Sequence, residues 1–402
     1  MRHIVVGPGI VHTRGNAAAA RLDAHPRHRK HALLTTPHGV RIRTPCGGAY
    51  YLPEAVMKWE ISLFPAALLV LAVCTAAFAR ELPARSLPVP DDVSPALKQA
   101  IEADASAIPW QLEPKDAAAW QELVQKAAAA TVEKVPGLLR HLEIKCEKSA
   151  MAGVPVFLLE PTTLPTAHAD KVLLYFHGGG YVFNPGMAGL PEGIYMAAIG
   201  RFKVVAVDYR LAPEFPYPAA LDDAVAVYKA LLKSYPAKNI GVFGSSTGGG
   251  MTLALCLRTR EEGLPMPGAI APGTPWSDLS KTGDSYFVNA HVDDVLVRYE
   301  GLLEGMAKAY AGGRDLKEPL LSPVYGDMKG FPPAILGTGT RDLFLSNTVR
   351  THRKLREAGV PAELLVLEGL SHWQYVQLPP ETPETQFYFS EVAKFFEKYL
   401  GK

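Results

Sequence analysis

The sequence predicts an α/β fold: a mostly parallel central sheet flanked by helices, with a helical cap. Three observations carry this. From about residue 140 onward, short apolar runs alternate with helical patterns, as strand–helix repeats do. Several of those runs are β-branched or fully apolar, as strands buried on both faces must be. Two glycine-rich loops each follow directly on such a run.

The elements follow in order. Residues 95–104 and 115–135 read as helices joined by a turn around Pro109 and Pro114. They precede the first strand, so they are expected to form a cap over the C-terminal edge of the sheet, completed by an insert at about residues 280–313. The expected strands are 142–147, 155–160, 172–176, 204–208, 240–243, 269–271, 334–337 and 364–367. Residues 218–234 place Leu221, Val225, Tyr228, Leu231 and Leu232 at helical spacing. Residues 346–358 open with Ser346 as a capping residue and stop at Gly359, and residues 387–400 give a terminal amphipathic helix. No internal repeat is visible.

The 41 basic and 40 acidic residues leave a net charge of +1, unevenly placed. Residues 1–79 carry nine Lys/Arg and three Asp/Glu, so the body is mildly acidic and gives no reason to expect nucleic-acid binding. Residues 61–79 hold no charge, follow Met57-Lys58 and end in Ala77-Phe78-Ala79, so residues 57–79 read as a secretory signal. The rival reading is an uncleaved membrane anchor, because 19 uncharged residues just span a bilayer. Residues 1–56 hold six of the twelve histidines without ligand spacing, and the expectation is that translation begins at Met57. The expected organisation is therefore a leader (1–56), a signal or anchor (57–79), cap helices (80–140) and a catalytic domain (141–402). An exported protein is expected. Cys46, Cys74, Cys146 and Cys256 form no zinc-ligand pattern, and a pairing of Cys146 with Cys256 stays open.

The chemistry concentrates in four places. Gly244-x-Ser246-x-Gly248 lies between an apolar strand and the helical run 251–258. A nucleophilic serine needs that sharp strand-to-helix turn, and the helix N-terminus behind it favours a developing oxyanion. His177-Gly178-Gly179-Gly180 follows the strand 172–176, and its unobstructed backbone N–H groups suit an anion-binding loop. A serine hydroxyl needs an adjacent base. Of the six histidines beyond the leader, His372 alone lies just after the last expected strand. Asp342, after the penultimate strand, is the expected acid for it, and Glu368 is too near His372 in sequence to face it easily.

These motifs, with Asp208-Tyr-Arg-Leu-Ala-Pro-Glu214 and Pro275-Trp-Ser-Asp278, stand in the order of the hormone-sensitive-lipase-like family of α/β-hydrolase esterases, which the chain resembles over about residues 90–400. The resemblance implies a serine ester hydrolase with Ser246 as nucleophile, His372 as base and Asp342 as acid. It also implies an oxyanion hole of the Gly179, Gly180 and Thr247 N–H groups, with His177 and Gly178 supporting the loop. No metal or organic cofactor is implied. The implied partner is a small ester or lactone, and the Ser245-Ser-Thr-Gly-Gly-Gly250 and Trp110-Gln-Leu-Glu-Pro114 segments look most similar to those of bacterial monoterpene ε-lactone hydrolases. Arg210 and Glu214 are expected to brace loops. Ser245 stands where the family usually has Asp, which leaves the hydrogen bonding around the turn open. The rival functions are amide or peptide cleavage on the same scaffold, and ligand binding without chemistry.

Overall fold

The computed structural model describes residue 84, residues 86–103 and residues 109–402. All eight expected strands form: β1 (Ile144–Met151), β2 (Val154–Pro161), β3 (Val172–Phe176), β4 (Val204–Val207), β5 (Ile240–Ser245), β6 (Ala269–Gly273), β7 (Ala334–Gly339) and β8 (Ala362–Leu367). They make one sheet in the order β1-β2-β4-β3-β5-β6-β7-β8. The pairs β1–β2 and β2–β4 are antiparallel, and every pair from β4–β3 onward is parallel. Strands β3 to β7 are buried at every position, whereas the edge strands β1 and β8 mix buried and exposed residues. That contrast is why the central strands read as continuous apolar runs.

The helices are α1 (Pro95–Glu102), α2 (Ala117–His141), α3 (Pro191–Ile199), α4 (Ala219–Leu231), α5 (Thr247–Glu261), α6 (Ser285–Val288), α7 (Leu302–Ala311), α8 (Leu345–Glu357), α9 (Gln374–Gln377) and α10 (Pro383–Tyr399). Successive side chains of a strand point to opposite faces, and β3 shows it. Leu174 and Phe176 pack with Leu221 of α4 and Leu253 of α5, while Leu173 and Tyr175 pack with Ile194 of α3 and Phe396 of α10. The sheet thus has a core on each face. Strand order reverses at β3, whose neighbours β4 and β5 lie on either side, so the loops after β3 and β5 open side by side. Such a switch point is where open α/β sheets place their sites.

Several expectations need adjustment. Helix α2 runs past Val135 and through Pro136 to His141, where burial of Val135 and packing of Leu138 and Leu139 hold the extra turns. Helix α8 starts after Phe344, and Ser346 is not its cap. Instead Ser346 and Ser285 exchange two hydrogen bonds of 2.9 Å, each backbone N–H donating to the other's Oγ. Gly359, with φ +77°, does follow that helix. Cys146 and Cys256 are free thiols. The expected leader and signal lie outside the described residues. Among the described residues no helix is long and apolar enough to cross a membrane.

Helix α1 forms because Ser94 accepts from the Leu97 N–H at 3.1 Å and Pro95 pre-sets the first turn. It buries Leu97 completely in the core on the α3 and α10 face. Leu97→Ala should cost about 2–5 kcal/mol, and Leu97→Met less than about 1.5 kcal/mol. Urea unfolding midpoints read both.

Candidate active site

Ser246 sits between the end of β5 and the start of α5 with φ +60° and ψ −123°, a conformation that side chains rarely adopt. Its neighbours explain the glycines around it. A Cβ at Gly244 or Gly248 would fall onto the carbonyl oxygen of Phe176 at the end of β3. A Cβ at Gly249 would come within 2.7 Å of the Gly273 carbonyl. The turn can therefore press its backbone against two neighbouring strands only because these positions lack side chains.

The loop after β3 packs on the same turn. A Cβ at Gly178 would lie 3.0 Å from the Ser245 carbonyl and 3.2 Å from the Ser246 Cβ. Gly179 has φ +124° and Gly180 φ +67°, and side chains there would strike Phe183 and Met306 respectively. The hydrogen bonds of the described residues leave the Gly179 and Gly180 N–H groups without an acceptor. His177 lies beneath, 3% exposed, stacked on Tyr209 with ring centroids 4.2 Å apart. Its Nδ1 is 2.8 Å from the Gly178 carbonyl, and the Tyr209 hydroxyl donates to the His177 carbonyl at 2.7 Å. Burial pushes the His177 imidazole down from its ordinary value.

His372 and Asp342 arrive from the loops after β8 and β7. His372 Nδ1 is 3.1 Å from Asp342 Oδ1 and 3.0 Å from Thr274 Oγ1. The Asp342 carboxylate also accepts from the Phe344 N–H at 2.7 Å, from Thr338 Oγ1 at 2.8 Å and from Thr274 Oγ1. Burial alone would raise this carboxyl, but the charge of His372 and those hydrogen bonds outweigh it and hold it below the ordinary range. On the far side of the ring, His372 Nε2 is buried without a hydrogen-bond partner.

Ser246, Gly178, Gly179, Gly180 and His372 all line one cavity of about 940 Å³. Residues of α2, the segment 109–116 before it, and the stretch from Val295 to Met306 supply much of its remaining wall. Thr247 is buried at the first turn of α5, next to Ser246. Arg210 forks onto Asp223 with its closest contact at 2.8 Å, which ties the segment after β4 to α4. Among the described residues no group of three or more His, Cys, Asp or Glu side chains is placed to hold a metal ion.

Three residues around this centre escaped sequence reasoning. Thr274, at φ +30° after β6, touches both Asp342 and His372. Its only sequence cue is that it precedes the Pro275–Asp278 motif. Asp293, 1% exposed, accepts from the backbone N–H groups of Val295 (2.8 Å), Leu296 (3.0 Å), Leu343 (2.7 Å) and His372 (3.3 Å). It thereby joins the insert to both the acid and base loops, and burial and the charge of Asp342 push it up to about 6. Glu192 of α3, 1% exposed, accepts from Ser245 Oγ at 2.6 Å and Trp373 Nε1 at 3.3 Å. Burial pushes its carboxyl up to about 7, against the pull of those hydrogen bonds.

Residues 173–376 match a family model described as alpha/beta hydrolase fold. The chain is 31% identical over 219 residues to an acetyl-hydrolase of Streptomyces hygroscopicus, covering 54% of this chain and 73% of that protein. It is 30% identical over 258 residues to a carboxylesterase of Mycobacterium tuberculosis, covering 60% and 78%. Among solved structures, the esterase E25 aligns at TM-score 0.77 and 40% identity, covering 80% of this chain and 99% of that one. An esterase from the bacterial hormone-sensitive lipase family aligns at 0.60 and 29%, covering 68% and 99%.

The buried carboxylates give a pH signature. Glu192 is raised from 4.5 to about 7, so its protonated form favours the fold. That contribution is complete below pH 4.5 and is lost as pH rises through about 7. Asp342 has the opposite sign, with stability present above its unfolded value and lost on acidification. Glu192→Gln should therefore reduce the decline in denaturation midpoint between pH 5.5 and pH 8, which urea titrations at the two pH values measure.

Proposed function

Because the chain belongs to the α/β-hydrolase fold family and is a carboxylic-ester hydrolase similar to bacterial hormone-sensitive-lipase enzymes, we propose that Ser246, His372 and Asp342 are its catalytic triad. The observation that carries this reading is the pairing of His372 Nδ1 with Asp342, which leaves a buried and unpaired Nε2 on a residue that shares a cavity with Ser246.

In this mechanism His372 Nε2 takes the proton of Ser246 as Oγ attacks the ester carbonyl. Asp342 fixes the tautomer with the proton on Nδ1 and stabilises the imidazolium. The N–H groups of Gly179, Gly180 and Thr247 receive the oxyanion. Its collapse releases the alcohol, protonated by His372, and leaves an acyl group on Ser246. Water, activated by the same histidine, then releases the acid. His177 and Gly178 hold the glycine loop in shape.

The substrates we propose are short- to medium-chain esters or lactones. A cavity of about 940 Å³ whose wall includes Trp110, Phe183, Leu296, Leu303, Met306 and Trp373 offers apolar surface to a compact acyl or cyclic group. The name of the acetyl-hydrolase relative agrees with a small acyl group. Of the two helices expected in the cap, α1 packs its Leu97 on the α3 and α10 face; we also propose that α2 and the insert at about 280–313 form the cap of the catalytic domain, and that the protein is exported through residues 57–79. The support for export is the basic start, uncharged centre and Ala77-Phe78-Ala79 ending.

Two experiments follow. Ser246→Ala should lower the turnover of a short p-nitrophenyl ester by at least about 10⁴-fold with an unchanged melting temperature. Undiminished turnover would refute the triad. Fractionation of the native host with N-terminal sequencing should find the protein outside the cytoplasm, beginning after Ala79. A cytoplasmic chain that retains peptides from residues 1–56 would refute export.

A further inference from the structure

Ser245 and Trp373 are each adjacent in sequence to a proposed catalytic residue, Ser246 and His372. The two neighbours meet on one buried group. Ser245 Oγ donates to Glu192 Oε1 at 2.6 Å, and Trp373 Nε1 donates to Glu192 Oε2 at 3.3 Å. Ser245 Oγ also lies 2.6 Å from the Tyr375 hydroxyl, two residues beyond Trp373. Both halves of the proposed machinery are therefore tied to one carboxylate on α3, an element that contributes neither.

The tie falls where the backbone most needs it. Ser246 is held at φ +60° and Trp373 at φ +57°, conformations that persist in non-glycine residues only when their surroundings over-determine them. Trp373 also lines the cavity with Ser246 and His372, so its indole is a substrate wall as well as the neighbour of the base. We propose that Glu192 is a positioning residue: by accepting from Ser245 and Trp373 together it sets the distance and orientation between the nucleophile turn and the base loop. This rests on the triad reading, which Ser246→Ala tests separately.

What matters in this account is the reach of the side chain and its two acceptor positions. A glutamine keeps the reach. Its oxygen can accept from Trp373 Nε1 while its amide donates to Ser245 Oγ, whose proton turns to Tyr375. An aspartate keeps the charge but is one methylene too short to hold both. A methionine fills the volume and accepts from neither. Misplacing reacting groups by about 1 Å costs up to about 100-fold in rate, whereas loss of buried packing alone appears as lost stability.

The test is steady-state kinetics on the full chain with a short p-nitrophenyl ester, paired with melting temperatures. Glu192→Gln should retain kcat within about threefold. Glu192→Asp and Glu192→Met should each lose at least about tenfold in kcat with KM within about threefold. In a Trp373→Phe background the cost of Glu192→Met should shrink to below about threefold, because the indole through which it acts is gone. Should Glu192→Met fail to fold, the order of the Gln and Asp variants decides. The proposal is overturned if Asp retains kcat as well as or better than Gln, if Met turns over normally, or if the Met cost is the same in both backgrounds.

Discussion

The site depends on one close approach of backbone to backbone. The carbonyl oxygen of Phe176, at the end of β3, occupies the space that a side chain at Gly244 or Gly248 would need. Because β3 and β5 are hydrogen-bonded neighbours, the glycine loop after one and the serine turn after the other have no room to move apart. The same contact puts the proposed oxyanion donors beside the proposed nucleophile. It also explains why three further glycines crowd the region: Gly178 packs on the Ser245 carbonyl, and Gly249 and Gly250 on the carbonyls of Gly273 and Trp276.

Around that contact, the polar groups are organised as a chain of buried carboxylates, each with a different set of donors. Asp342 accepts from His372, Thr274, Thr338 and a backbone N–H, and stays ionised in spite of burial. Asp293 takes four backbone N–H groups from the insert and the acid and base loops, and Glu192 takes two side-chain donors. Buried carboxylates are costly unless paired. Here each one is placed where two or more loops meet, so the same hydrogen bonds that satisfy it also fix those loops relative to each other.

The sheet was legible in the sequence because the central strands are buried on both faces, and glycine or proline bounds several of their runs. Ser246 and His177–Gly180 were legible for a related reason: glycines forced by close approach leave a pattern. His372 and Asp342 could be chosen because each follows an expected strand. Helix α3 could not be read, since six consecutive residues from Glu192 to Ala197 are buried and no amphipathic period survives. Glu192, Asp293 and Thr274 were invisible because the contacts that join them to the site reach residues 50 to 181 positions away. The replacement of the family's usual Asp by Ser245, which left the turn's hydrogen bonding open, is resolved by the same contacts: Ser245 has a carboxylate partner on α3.

The central claim is that Ser246 is a nucleophile activated by His372 within the shared cavity. Treating the intact protein with a fluorophosphonate and mapping the modified peptide by mass spectrometry tests it most directly. The account predicts one stoichiometric adduct on Ser246, lost in a His372→Ala variant that still folds. A protein that takes no label, or takes it at another serine, would contradict it.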